Sequence, residues 1–164
     1  MTGRPSRKSR SSASDAPARA WERAVRLLTV RDRSEQELRD RLTAEGTSAT
    51  VINATVRRLR QHGYLDDRRF ARGAAESAVR RGHGSERVRA ELAAKGIGET
   101  VLEEAVQAAC ADETELARLV LARRYPRELR HPAERAKAAR FLQRQGFPEA
   151  VVSEVLGHDL DTSS

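Results

Sequence analysis

Gly46, Gly96 and Gly146 stand fifty residues apart, and the residues around them repeat with the same interval. Leu42, Leu92 and Leu142 precede each glycine by four positions, and Val51, Val101 and Val151 follow each by five. Ile52, Leu102 and Val152 fill the next column, and Val56, Val106 and Leu156 the last. A period of this length requires that one supersecondary unit recur along the chain and bury its apolar face on its neighbours.

The content of the unit follows from the residues between the columns. In SEQELRDRLTAEG, Ser34 followed by Glu37 has the spacing of a capping box, which opens a helix. Leu38 and Leu42 then share one face. Gly46 supplies the left-handed residue that closes a helix, and such a cap sets the residue after the glycine against the residue four before it. This pairs Ile97 with Leu92 and Phe147 with Leu142, with Thr47 as a poor apolar counterpart of Ile97 and Phe147. A second helix starts after each glycine, near Ser48, Gly98 or Pro148, with Ser48 as an N-cap and Pro148 at N1. Its apolar positions are Ile52, Val56 and Leu59, then Leu102, Val106 and Ala109, then Val152 and Leu156.

A further helix precedes each pair. Trp21, Ala24, Val25 and Leu28 form the stripe of the first, and Asp67 is expected to cap the second. Leu116, Leu119 and Val120 mark the third. Pro126 and Pro132 hold YPRELRHP as a loop. The expected fold is therefore all-α, with three tandem three-helix repeats forming an elongated, curved array. The repeats span 20–66, 67–111 and 112–158, between a disordered basic tail (1–19) and a flexible C-terminus (159–164).

Composition narrows the function. The chain of 164 residues has a formal charge of +7, which favours a polyanionic partner, although five of its basic residues (Arg4, Arg7, Lys8, Arg10 and Arg19) lie in the tail. Cys110 is the only cysteine, so neither an internal disulfide nor a thiolate metal site is available, and it is most simply a packed residue. The four histidines are scattered without metal-ligand spacing, and no nucleophile elbow or phosphate-binding loop is present. No catalytic residue, metal or cofactor is expected. With no membrane span or signal-peptide pattern, the expected location is the cytoplasm.

What remains is a basic surface in the middle repeat. Arg69, Arg72, Glu76 and Arg80 fall at spacings of three and four, opposite Ala71, Ala74 or Ala75, and Ala78. Arg68 and Arg81 flank this face, and Arg87 and Arg89 follow the Gly82–Gly84 stretch, which is expected to be a flexible break. A solvated helix face accounts for such a pattern as well as a binding surface does.

The segment QHGYLDDRRFARGAAESAVRRGHGSERVRAELAAKGI, residues 61–97, resembles the signature stretch of the RecX family. The matching elements are Gly63-Tyr64-Leu65-Asp66-Asp67, Phe70-Ala71, Arg80-Arg81, Gly84, Arg87, Leu92 and Lys95-Gly96-Ile97. SEQELRDRLTAEG and ARFLQRQGF are similar to the motifs of the family's first and third repeats. Gly73-Ala74-Ala75 departs from the family, which places an aromatic there, so looser packing of that helix is expected.

The resemblance implies a non-catalytic regulator lying along the groove of the RecA filament on single-stranded DNA. Such a protein limits filament growth, ATP turnover, strand exchange and the stimulation of repressor cleavage. The expected partners are the RecA filament and single-stranded DNA, contacted directly or through RecA, by a monomer. The expected contacts are Arg68, Arg69, Arg72, Arg80, Arg81, Arg87 and Arg89, with Tyr64 and Phe70 packing between units. The alternatives are a helical-repeat DNA-binding module that works without RecA and a pure scaffold of helical repeats.

Overall fold

The computed structural model describes residues 15–127 and 129–157, and among these it contains nine helices and no strand. They are α1 (Ala16–Val30), α2 (Glu35–Ala44), α3 (Ala49–Gln61), α4 (Asp67–Arg80), α5 (Ser85–Ala94), α6 (Glu99–Ala109), α7 (Glu113–Arg124), α8 (Pro132–Arg144) and α9 (Glu149–Leu156). α1 takes in residues 16–19, which composition assigns to the tail. Asp15 is described, whereas residues 1–14 of that tail and the C-terminus, 159–164, lie outside the described residues. The chain divides into two compact units, Met1–Phe70 and Ala71–Ser164, with the boundary inside α4.

In the first unit α1, α2 and α3 pack around Ala24, Leu27, Leu38, Leu42, Ile52, Val56, Leu59 and Leu65. Trp21, Val25 and Leu28 line the edge of this core, and Leu27 completes the stripe on α1. In the second unit α5 packs on α6, and α7, α8 and α9 enclose Ala117, Val120, Leu142, Phe147 and Val152. Each large side chain buried in this way contributes roughly 1.5–3 kcal/mol of transfer free energy. On α4, Ala71, Ala75 and Ala78 face inward, and the buried line runs through Ala75 rather than Ala74. Gly73 faces open space on the same helix. Leu119, expected in the stripe of α7, is instead 50% exposed, and Leu116 packs on the core with Val120.

The repeated glycines close helices as their spacing requires. Gly46, Gly96 and Gly146 have φ of 81°, 72° and 87°, a region disfavoured for residues with a Cβ. In each cap the following residue donates its N–H to the leucine carbonyl: Thr47 to Leu42 (3.1 Å), Ile97 to Leu92 (3.2 Å) and Phe147 to Leu142 (3.2 Å). Gly63 and Gly82 end α3 and α4 in the same way, with Tyr64 donating to Leu59 and His83 to Ala78. These bonds satisfy carbonyls that a helix end otherwise leaves open.

The helix starts are more varied. Ser34, fully buried, accepts from the Glu37 N–H (3.1 Å), and Glu37 Oε2 accepts from the Ser34 N–H (3.3 Å), so the capping box is complete. Ser48 occupies the N-cap of α3 without a side-chain hydrogen bond, and Pro148 is the N-cap of α9 rather than its first turn. Asp66, not Asp67, caps α4, accepting from the N–H groups of Arg68 (2.9 Å) and Arg69 (3.1 Å). Asp67 Oδ1 reaches across to the first residue of α2 and accepts the Glu35 N–H at 2.8 Å. Glu113 does the equivalent for α5, accepting the Ser85 N–H at 2.6 Å. Thus the first residue of α4 caps α2, and the first residue of α7 caps α5.

The Gly82–Gly84 stretch is a packed joint, which corrects the expectation of a flexible break. Gly84 is buried, donates its N–H to Gln145 O (2.9 Å), and is followed by Glu86, which donates to Gly146 O (3.0 Å). The start of α5 is thereby seated on the closing glycine of α8. A Cβ at Gly84 meets Gly146 O, with the Phe147 nitrogen at 2.6 Å, so only glycine permits this approach.

Candidate functional site

The seven arginines of the expected contact surface have different surroundings. Arg68 and Arg69 belong to the first unit, where Arg69 donates to the carbonyls of Gly63 (3.2 Å) and Tyr64 (3.3 Å). Its guanidinium therefore clamps the turn between α3 and α4. In the second unit Arg81 pairs with Glu91 (2.8 Å) and donates to Ser77 Oγ (2.9 Å). Arg87 lies 3.5 Å from the same Glu91 carboxylate and 3.4 Å from Arg144 O. Arg89 makes a two-pronged bond to Glu103, with Nη2 to Oε2 at 3.0 Å, which ties α5 to α6. Hydrogen bonding to Glu103 raises Arg89 above the ordinary arginine range, and the same bond lowers Glu103.

Arg72 and Arg80 are different. Both are exposed on α4, and neither has a hydrogen bond or ion pair among the described residues. They stand eight positions apart on the helix, about 12 Å along the axis. Glu76 lies between them without pairing to either. These two guanidiniums keep their full hydrogen-bonding capacity for an external acceptor such as a carboxylate or phosphate.

The internal partners are Glu91, ten residues from Arg81 and one helical turn from Arg87, and Glu103, fourteen residues from Arg89. Glu91 receives Arg81 and Arg87 and also lies 2.8 Å from His83 Nδ1, off the line that a hydrogen bond needs. Burial, with Arg87 and Arg81, holds His83 below its ordinary value, and Glu91 opposes them. A cleft of about 520 Å³ in the first unit, lined by Arg39, Asn53, Val56, Arg57, Arg60 and Gln61, is not among the features expected from the sequence. Arg39 is held there by Glu35 (2.9 Å) and Asn53 (2.7 Å), and Arg60 lies 3.6 Å from Glu35. The signal that marks this cleft is Arg57 and Arg60, three apart on α3.

Among the described residues no cluster of three or more His, Cys, Asp or Glu side chains is placed to hold a metal ion. No described helix is long and apolar enough to cross a membrane. Cys110 is half-buried, and burial, reinforced by Glu113, pushes its thiol up to about 11. Tyr64, expected to pack between units, is 52% exposed and sits beside Trp21 and His62 within the first unit.

Comparison with known proteins gives these features a family. Residues 20–59, 66–106 and 111–156 match the first, second and third three-helix domains of RecX. The regulatory protein RecX of Chromohalobacter salexigens is 38% identical over 135 residues, covering 82% of this chain and 89% of that protein. That of Escherichia fergusonii is 40% identical over 143 residues, covering 80% and 86%. The crystal structure of RecX from Lactobacillus salivarius superposes with a TM-score of 0.77 at 19% identity, covering 87% of this chain and 96% of that one. The fold likeness and the domain matches agree with the helical repeats described above, and the curated relatives are named as regulators. This chain belongs to the RecX family of regulatory proteins.

Proposed function

We propose that this protein, acting without catalysis and as a monomer in the cytoplasm, regulates RecA by binding the filament that RecA forms on single-stranded DNA. It limits ATP turnover, strand exchange and the filament's stimulation of repressor cleavage. Family membership is the observation that carries this reading. The mechanism is occupancy: three repeats, 20–66, 67–111 and 112–158, bridge neighbouring filament subunits and exclude duplex or repressor.

Of the seven arginines proposed as contacts, Arg72 and Arg80 are the leading pair, because no internal acid has to be released before they bind. Arg68, on the first unit, is proposed as a separate contact. Recruiting Arg81, Arg87 or Arg89 means exchanging Glu91 or Glu103 for an external partner, which lowers the net gain. Arg69 acts chiefly by holding the turn before α4.

Co-sedimentation with RecA filaments on single-stranded DNA tests the reading, with bare DNA run in parallel over a salt series. The expected result is saturable binding to the filament that outlasts binding to bare DNA as salt rises. Arg72→Glu with Arg80→Glu weakens filament binding and leaves helicity unchanged. Equal retention on bare DNA and filament, with a steep salt slope for both, would instead identify a DNA-binding module that works without RecA.

A further inference from the structure

We propose that the first three-helix unit carries a stacking site for an unpaired nucleobase, built from Tyr64, His62 and Trp21 with Arg58 beside them. The inference deepens the proposed function, since it makes part of the contact with single-stranded DNA direct. It is tested without RecA, so its failure and the failure of filament regulation are separable.

The site follows from how the end of α3 is closed. Arg58 and His62 are four residues apart and share a face of the helix. Gly63, at φ 70°, then reverses the chain, and the Tyr64 N–H returns to Leu59 O at 2.9 Å. The reversal sets the tyrosine ring beside His62, nearly co-facing, with centroids 6.1 Å apart and planes at 29°. Trp21 of α1 meets both edge-on, 5.8 Å from His62 and 6.1 Å from Tyr64. The Arg58 guanidinium lies 4.0 Å over the Trp21 ring. Arg69 bonds the carbonyls of Gly63 and Tyr64, so the turn that presents the tyrosine is held from behind.

The remaining aromatics serve the protein's own packing. Phe147 is buried, Phe141 packs on the core of the second unit, Tyr125 meets Phe141 edge-on, and Phe70 is half-buried. Tyr64 alone among the described aromatics keeps more than half of its surface in water, with the exposed His62 ring next to it. An exposed tyrosine ring with an exposed imidazole beside it and a cation near by is the kind of surface that single-stranded nucleic acid binds. Every base offers a π-face, and the adjoining phosphate takes the guanidinium. A duplex keeps its bases stacked on one another and gains nothing from such a platform, so the occupant is a single strand.

Trp21 is the only tryptophan in the chain, which makes the site self-reporting. The experiment titrates the full-length protein with oligothymidylate and, separately, with an abasic oligomer of the same length and charge, following tryptophan emission. Oligothymidylate should quench the emission and the abasic oligomer should not. Tyr64→Phe should retain this response, because the ring and not the hydroxyl stacks. Tyr64→Ala with His62→Ala should lower affinity about tenfold or more, with the salt dependence unchanged. Equal quenching by the abasic oligomer, no quenching by oligothymidylate, or full affinity in the double variant would overturn the assignment. The comparison of the two oligomers uses the unaltered protein and does not depend on any variant folding.

Discussion

Replacing Gly84 with alanine should destabilise the second unit by far more than a methyl group on a surface turn would. Gly84 has φ −80° and ψ 172°, so an alanine there has no backbone strain of its own. The cost is contact: the new Cβ meets Gly146 O, and the Gly146 carbon and Phe147 nitrogen lie at 2.6 Å, all of them backbone atoms that no rotamer change can move aside. The start of α5 must then withdraw from the end of α8. Withdrawal sacrifices the Gly84–Gln145 and Glu86–Gly146 hydrogen bonds, at 2.9 and 3.0 Å, and loosens the cover over Phe147. Two such bonds at about 1 kcal/mol each, with overpacking strain of about 1–3 kcal/mol, give a loss of roughly 3–5 kcal/mol. With a urea m-value of about 2 kcal/mol/M, the midpoint falls by roughly 1.5–2.5 M. Equilibrium unfolding followed by circular dichroism measures this. Gly84→Ser separates the clash from capping, since serine is the better N-cap residue and stabilises if capping alone matters. Gly73→Ala is the opposite control: it faces open space inside α4 and should gain about 0.8–1 kcal/mol. A Gly84→Ser variant as stable as the parent would refute the reasoning.

Three further outcomes follow from named contacts. Asp67→Ala should cost about 1 kcal/mol and speed hydrogen exchange at the Glu35 amide, whereas Asp66→Ala should expose the amides of Arg68 and Arg69; the reverse assignment would remove the cross-helix cap. His83 has a folded-state value below its unfolded one, because of burial and Arg87, so its contribution to stability is present above the ordinary histidine value of 6.5 and fades as pH falls through it. His83→Gln should flatten that part of the stability–pH curve measured by urea midpoints between neutral and mildly acidic pH, and an unchanged slope would contradict the assignment. Cys110, pushed up to about 11 from 9.0, should react with a disulfide reagent at pH 8 roughly a hundredfold more slowly than an unperturbed thiol, as read by absorbance of the released thiolate.

The parts of this fold legible in the sequence are those set by local chemistry. A glycine with positive φ closes a helix wherever it falls, so Gly46, Gly96 and Gly146 reveal both the caps and the period. Ser34 and Glu37 do the same for the start of α2, because both partners lie within one turn. What escaped the sequence depends on distance in space. Asp67 sits beside the residue that caps α4, and only the packed unit shows that its carboxylate serves Glu35, 32 residues earlier. Gly84 has the composition of a hinge, and its need for glycine comes from Gly146 on another helix.

The basic surface illustrates the same limit. Arg81 and Arg89 look unopposed along the chain, yet Glu91 and Glu103, ten and fourteen residues on, neutralise them. Helical spacing placed Arg72 and Arg80 on one exposed face correctly, since that needs only the period of α4. Nothing in the sequence around Tyr64 separates a packed ring from an exposed one, and the left-handed Gly63 before it sets the ring in water beside His62.

The proposed restraint of RecA on single-stranded DNA has a direct readout in ATP turnover. RecA-dependent hydrolysis on a fixed amount of single-stranded DNA is measured while this protein is titrated at physiological salt. The account predicts that turnover falls and levels off at a low value, and that the Arg72→Glu, Arg80→Glu variant needs markedly more protein to reach it. Turnover unchanged at saturating protein, with the filament intact by light scattering, would contradict it.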